Sequence, residues 1–228
     1  MADQTATPAF LFDLDGTLID SVYQHVLAWR EALERGGRKL AVWQIHRRIG
    51  MSGGLLVNAL ARETGGEVAP GEAEQLIQWH AEEYVKYVPQ VHPLPGASEI
   101  LAYLRENGVP HAIATSGRRE SAARSLAMLG VPDDLVVITR DQVRYAKPDP
   151  DLFLAAADAL GVSIHDSVVV GDSVWDLLAA QRARAIGVGV MSGGYGAEEL
   201  GRAGAYRVYQ DPADLLDHLD EVGLRIVR

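Results

Sequence analysis

Four apolar residues in a row, Ala9-Phe10-Leu11-Phe12, run straight into Asp13-Leu14-Asp15-Gly16-Thr17-Leu18. A strand with one wet face alternates apolar and polar residues. An unbroken apolar run belongs instead to a strand covered on both sides, as in parallel sheets sandwiched by helices. The acids that end the run constrain the chain further. Residues two apart on a strand share a face, so Asp13 and Asp15 emerge together where Gly16 lets the chain turn. Carboxylates so close repel unless a cation lies between them or one is protonated. A hard, oxygen-seeking cation such as Mg²⁺ is the simplest resolution.

From about residue 96 onward, helix and strand patterns alternate. Residues 97–104 carry apolar positions at helical spacing, and 111–115 read as a short buried strand. A helix over 122–129 stops at Gly130, a strand follows at 135–138, and a helix over 152–160 stops at Gly161. Glycine suits both stops. Ser167-Val168-Val169-Val170-Gly171-Asp172 repeats the opening pattern of apolar strand and terminal acid. A helix over 175–182, a strand over 185–190, a short helix near Ala197, a weak strand at Tyr206-Arg207-Val208 and a helix over 213–219 complete the series. The expected fold is α/β, a doubly wound, Rossmann-like parallel sheet. Residues 21–91 behave differently, with helices over 22–33, 43–49, 55–64 and 72–87 and no strand. The expected organisation is a core of residues 1–20 and 92–228 with a helical insert, 21–91, between its first strand and the rest. The crossings near Ile19-Ser21 and Val88-Pro95 are the hinges, the second stiffened by Pro89, Pro93 and Pro95.

Composition narrows the partners. The 228 residues carry a formal net charge of −10 and no cysteine. Disulfides, thiolate metal sites and a cysteine nucleophile are excluded. So acidic a surface repels nucleic-acid backbones and anionic membranes, and any phosphate site must be locally positive. No apolar run approaches the roughly 20 residues that cross a bilayer. The stretch Met1–Pro8 lacks the basic and apolar blocks of a secretory leader, so the expected location is cytoplasmic.

Doubly wound sheets bind ligands at the carboxyl ends of their strands, near a switch in strand order. Polar clusters sit at those ends here: Asp13 and Asp15, then Thr115-Ser116-Gly117, then Lys147-Pro148 ahead of a helix, then Gly171-Asp172-Ser173 with Asp176 a turn later. A carboxylate can attack phosphorus and divide one hard step into two. A second acid can protonate the leaving oxygen and later deprotonate water. Thr115 and Ser116 can donate to phosphate oxygens, joined by backbone N–H groups near Gly16 and Gly117. Lys147 supplies the local positive charge, and Asp172 and Asp176 complete a site for Mg²⁺.

Taken together, Asp13-Leu14-Asp15-Gly16-Thr17-Leu18, Thr115-Ser116, Lys147-Pro148 and Gly171-Asp172-Ser173-Val174-Trp175-Asp176 resemble the four motifs of the haloacid dehalogenase-like superfamily. The insert resembles the four-helix cap of its phosphoglycolate phosphatase and β-phosphoglucomutase branch. The resemblance implies that Asp13 is the nucleophile and Asp15 the general acid/base. It also implies a Mg²⁺ held by the Asp13 side chain, the Asp15 backbone carbonyl and Asp172, with Asp176 supporting, and phosphate held by Thr115 and Lys147. Relatives that dehalogenate or cleave carbon–phosphorus bonds lack an acid at the position of Asp15. The expected activity is therefore Mg²⁺-dependent hydrolysis of a small phosphorylated metabolite through an aspartyl-phosphate. Both a monomer and a homodimer are compatible with the sequence.

Other readings compete. A sugar phosphomutase of the β-phosphoglucomutase kind shares every motif, and a receiver-like module also combines Asp, Thr/Ser and Lys, though without a cap. Arg47 and Arg48 lie where the cap loop of the resembled branch reaches the site; they are balanced between a solvated helix face and contact with an anionic group of the substrate. Thr115-Ser116 and Lys147-Pro148 also suit helix starts. Asp20 reads as a cap for the helix beginning at Ser21, and His25 reads as a surface or packing residue in preference to one facing the cleft from the first helix of the insert. No HExxH spacing marks a zinc site. Gly187, Gly189, Gly193, Gly194 and Gly196 do not match a dinucleotide-binding turn.

Overall fold

The structure, a computed structural model, describes residues 7–63 and 66–224. Most of the stretch read for a leader, and Thr64 at the expected end of a helix, lie outside them. In chain order the elements are β1 (Ala9–Phe12), β2 (Ile19–Asp20), α1 (Val22–Arg35), α2 (Val42–His46), α3 (Gly53–Glu63) and α4 (Glu72–Tyr84). Then come β3 (His92–Pro93), α5 (Ala97–Glu106), β4 (His111–Ala114), α6 (Arg119–Leu129), β5 (Val136–Ile138) and α7 (Asp151–Leu160). The chain continues through β6 (Ser167–Gly171), α8 (Val174–Ala183), β7 (Ile186–Val190), α9 (Ala197–Arg202), β8 (Ala205–Tyr209) and α10 (Pro212–Asp217).

Six strands form one parallel sheet in the order β5-β4-β1-β6-β7-β8. The chain moves outward from β1 through β4 to β5, then returns past β1 to build the other half. That reversal opens a crevice at the carboxyl ends of β1, β4 and β6. Both faces of β1 are covered. Phe10 and Phe12 point into one cluster with Ile100, Leu104 and Leu215, while Leu11 points into another with Phe153, Val169 and Ala180. The apolar run is unbroken because neither face of the strand meets water.

Helices α1 to α4 pack around a cluster of their own that includes Val26, Trp29, Leu33, Ile45, Leu56 and Leu76. Several boundaries differ from the sequence expectation. The helix expected over 43–49 ends at His46, because the Arg47 carbonyl accepts from the Trp175 Nε1–H (3.3 Å) and the Tyr195 hydroxyl (3.1 Å). The helix expected to reach residue 87 ends at Tyr84; the chain tightens into i→i+3 bonds before Pro89, which has no N–H to donate. The two crossings pair with each other as an antiparallel ribbon, Ile19 opposite Pro93 and Asp20 opposite His92. Asp20 is therefore a strand residue rather than a helix cap, with His92 Nε2 3.7 Å from its carboxylate. Among the described residues, no helix is long and apolar enough to cross a membrane.

Candidate active site

Asp13 is the first residue beyond β1, and its N–H continues the ladder by donating to Val170 (2.9 Å). Gly16 then turns the chain with a φ of +85°, a conformation costly for any residue bearing a Cβ. Across the crevice, Asp172 follows β6, and Ser173 caps α8 by donating from its N–H and hydroxyl to Asp176 Oδ2 (3.1 and 2.5 Å). Asp13, Asp172 and Asp176 are all buried, and each offers an oxygen within 4.8 Å of the others.

Lys147, in the loop before α7, is completely buried and enters the same space. Its Nζ bonds Asp13 Oδ1 and lies 2.8 Å from Asp176 Oδ1. Burial alone would drive the proton off the lysine, but Asp13 and Asp176 outweigh it and hold the ammonium charged. One lysine does not balance three acids. Burial, and the charge of Asp176, push Asp13 up to about 7 despite Lys147. Burial with Asp176 and Asp13 pushes Asp172 well above the usual carboxylate range.

Surplus buried negative charge on oxygen donors is the setting that a divalent cation relieves, and the donor set fits Mg²⁺. The space around Asp172 is tailored as well. A Cβ on Gly193 would stand 1.7 Å from Asp172 Oδ2, and one on Gly16 would stand 2.5 Å from it. The Thr17 hydroxyl donates to Asp172 Oδ1 (3.1 Å), and the Ser192 hydroxyl donates to the Gly16 carbonyl (2.6 Å).

Thr115, Ser116 and Gly117 lie beyond β4, the neighbour of β1. Thr115, four residues ahead of the start of α6, is buried and its Oγ1 accepts from the Gly117 N–H (2.9 Å); the cap position of α6 is Arg118. Ser116 Oγ is shielded from solvent with no hydrogen-bond partner among the described residues, which leaves its hydroxyl able to donate to an anion.

Asp15 is set apart from the acid cluster. Its side chain is a quarter exposed and faces α1, taking the Ser21 hydroxyl at 2.7 Å with His25 Nε2 at 3.4 Å. Burial would raise its pKa, but His25 and Ser21 together lower it. His25 continues to His80 Nε2 (3.1 Å) and stacks on Tyr84 with ring centroids 4.0 Å apart. Burial and the neighbouring His25 hold His80 well below the ordinary histidine range.

Of the two sequence readings of His25, packing and a place facing the cleft, the structure shows both, since it stacks on Tyr84 and meets Asp15. Ser21 caps α1 and His25 follows four residues later, an i, i+4 spacing that turns both toward Asp15. Gly193 carried no such signal.

Arg47 and Arg48 do not join the acids. The Arg47 guanidinium pairs with Glu199 and lies 4.5 Å over the Tyr195 ring; that of Arg48 pairs with Glu63 and lies 5.6 Å over Trp175. Next to them, His46 Nε2 donates to the Gly193 carbonyl (2.8 Å), so the insert touches the loop that wraps Asp172.

Known proteins bear on this geometry. The sequence model of the haloacid dehalogenase-like hydrolases matches residues 7–184. The chain is similar to hexitol phosphatase A of Escherichia coli (strain K12), 33% identical over 166 residues, covering 72% of this chain and 74% of that protein. It is 32% identical over 220 residues to a phosphoglycolate phosphatase of Rhodospirillum rubrum, covering 92% of this chain and 90% of that protein. A crystal structure of a hydrolase from Pseudomonas syringae superposes with a TM-score of 0.92 at 52% identity, covering 94% of this chain and 99% of that one. The chain belongs to the haloacid dehalogenase-like hydrolases, with phosphatases among its relatives.

Proposed function

We propose that the protein is a Mg²⁺-dependent phosphatase that hydrolyses small phosphate monoesters through an aspartyl-phosphate. The observation that carries this reading is the placement of Asp13 between a buried lysine and two further buried acids at the carboxyl end of the central strand. Asp13 attacks phosphorus while the ester oxygen departs, taking a proton from Asp15, whose carboxylate must first gain that proton against the pull of His25 and Ser21. Water then attacks the acyl phosphate, giving its proton to Asp15, and Asp13 is regenerated with release of inorganic phosphate. Lys147, Thr115, Ser116 and the N–H groups near Gly16 and Gly117 orient the phosphoryl oxygens. Asp13, Asp172 and the Asp15 backbone carbonyl would hold Mg²⁺, with Asp176 in support. When bound, Mg²⁺ offsets the charge of carboxylate and phosphate, which lets one anion approach the other.

Residues 21–91 act as a cap over the core of 1–20 and 92–228, excluding water from the first step. The acidic surface and absence of cysteine fit a cytoplasmic enzyme of soluble metabolites. Phosphate release from monoesters in the presence of Mg²⁺ tests the proposal, together with the mass of the trapped phospho-protein. Asp13→Asn should abolish both phosphate release and labelling. Activity surviving that substitution overturns the mechanism, and strict dependence on a sugar bisphosphate would favour a mutase instead.

A further inference from the structure

We propose that His46, a residue of the insert, positions the metal ligand Asp172 by holding the Gly193 turn against it, so that seating the insert and binding Mg²⁺ are coupled. This rests on the reading of Asp172 as a Mg²⁺ ligand given above. The Asp172 carboxylate is gripped on both oxygens. Its Oδ1 accepts from the Thr17 hydroxyl (3.1 Å). Its Oδ2 lies in a slot between two glycine turns, where a Cβ on Gly16 would stand 2.5 Å away and one on Gly193 only 1.7 Å away. The Ser192 hydroxyl donates to the Gly16 carbonyl (2.6 Å), which ties the two turns to each other. The insert reaches this slot through His46, the last residue of α2.

A carbonyl only accepts, so His46 Nε2 carries the proton in its 2.8 Å bond to Gly193. The ring is held in that direction by its neighbours. It stacks on Tyr23 with centroids 5.3 Å apart and 11° between the planes, and it tilts against Tyr195 at 5.6 Å. The turn is shaped to receive it, since a Cβ on Gly194 would stand 2.9 Å from His46 Nε2 and 2.6 Å from the Tyr23 hydroxyl. The insert has other anchors on the core. The Arg47 carbonyl takes Trp175 and Tyr195, and the Arg47 guanidinium pairs with Glu199, none of them through Gly193. What the His46 bond adds is a grip on backbone that touches Asp172. Without it, Gly193 can draw back from Oδ2, and the carboxylate gains a rotational freedom that the metal must then remove. Groups that orient a ligand govern metal affinity in this way. By linkage, the metal favours the seated insert by the same factor.

The experiment titrates Mg²⁺ alone into the full chain, without substrate, and reads Kd by calorimetry. His46→Phe keeps a ring against Tyr23 but loses the N–H. Its Kd should rise roughly three- to tenfold, less than the about 10- to 100-fold typical of a group that bonds a metal ligand directly. His46→Gln keeps a donor and should restore most of the affinity. Glu199→Gln loosens the joint elsewhere and should leave Kd unchanged. Metal-free unfolding midpoints show which variants are folded, and His46→Leu provides a second side chain without a donor. An unchanged Kd in a folded donor-free variant overturns the proposal. Weakening as large in His46→Gln overturns the role of the hydrogen bond, and weakening as large in Glu199→Gln overturns the route through Gly193. Failure of the unsubstituted chain to bind Mg²⁺ overturns the metal reading itself, a result distinct from a Kd that the variants do not move.

Discussion

Lys147 Nζ stands 2.8 Å from Asp176 Oδ1, with both side chains wholly shielded from solvent. The same ammonium bonds Asp13, so one lysine ties the end of β1 to the first turn of α8. A buried charge of this kind is stabilising only while its partners remain, and removing one partner of such a group typically costs about 3–5 kcal/mol. Lys147→Met should therefore lower stability by about that amount, read from equilibrium urea unfolding, as well as abolish activity. Added Mg²⁺ should recover part of the loss by supplying positive charge to the acids. An unfolding midpoint equal to that of the unsubstituted protein would refute this account of the cluster.

The same excess of acids predicts a metal effect on the unaltered chain. A ligand that binds only the folded state raises stability in proportion to the logarithm of its concentration above Kd. The melting temperature should rise with Mg²⁺ and fall back on adding a chelator. Asp172→Asn should shrink that response more than it changes the metal-free melting temperature. A metal-independent melting curve would show that the three carboxylates hold no divalent ion.

Gly193 tests the cradle. A Cβ there would overlap Asp172 Oδ2, whereas one on Gly54 would meet nothing within 4 Å. Gly193→Ala should reduce activity and raise the Mg²⁺ concentration needed for half-activation, with little change in circular dichroism. Gly54→Ala should leave both unchanged. Equal behaviour of the two variants in a Mg²⁺ titration would sink the idea.

His80 predicts a pH dependence of stability. Its folded pKa is depressed by burial and by His25, so below about pH 6.5 the unfolded chain takes up a proton that the folded chain refuses. The unfolded state then binds more protons, and stability falls as pH decreases. The slope from this residue is at most one proton's worth, about 1.4 kcal/mol per pH unit. His80→Phe keeps a ring between Trp29 and Tyr84 and should flatten the curve between pH 6.5 and 5. A variant with an unchanged slope would refute the assignment.

The parts legible in the sequence share one physical property: they are set by local pattern. Ala9–Phe12 and Val168–Val170 are apolar on both faces because both faces are buried, so the strands and the acids at their ends could be read directly. Lys147, Asp172 and Asp176 were found because each lies next to a strand end or helix start. What escaped depends on partners far away in the chain. The ribbon of Ile19-Asp20 with His92-Pro93 is too short to leave a period. The stop after His46 is set by Trp175 and Tyr195, and the engagement of Arg47 is set by Glu199. His25 carries a mixed signal, because a helix face marks it as inward but does not say that Asp15 waits there.

The hydrogen bond from the Trp175 indole to the Arg47 carbonyl joins the core to the helical insert at a chromophore. Indole emission responds to what its N–H touches and to the water around it. If the insert swings away, this N–H exchanges a carbonyl for solvent, and its fluorescence moves to longer wavelength. The protein thus carries an optical gauge of its own joint. With Trp29, Trp43 and Trp79 replaced by phenylalanine, the cap motion proposed above could be followed in real time without an attached dye.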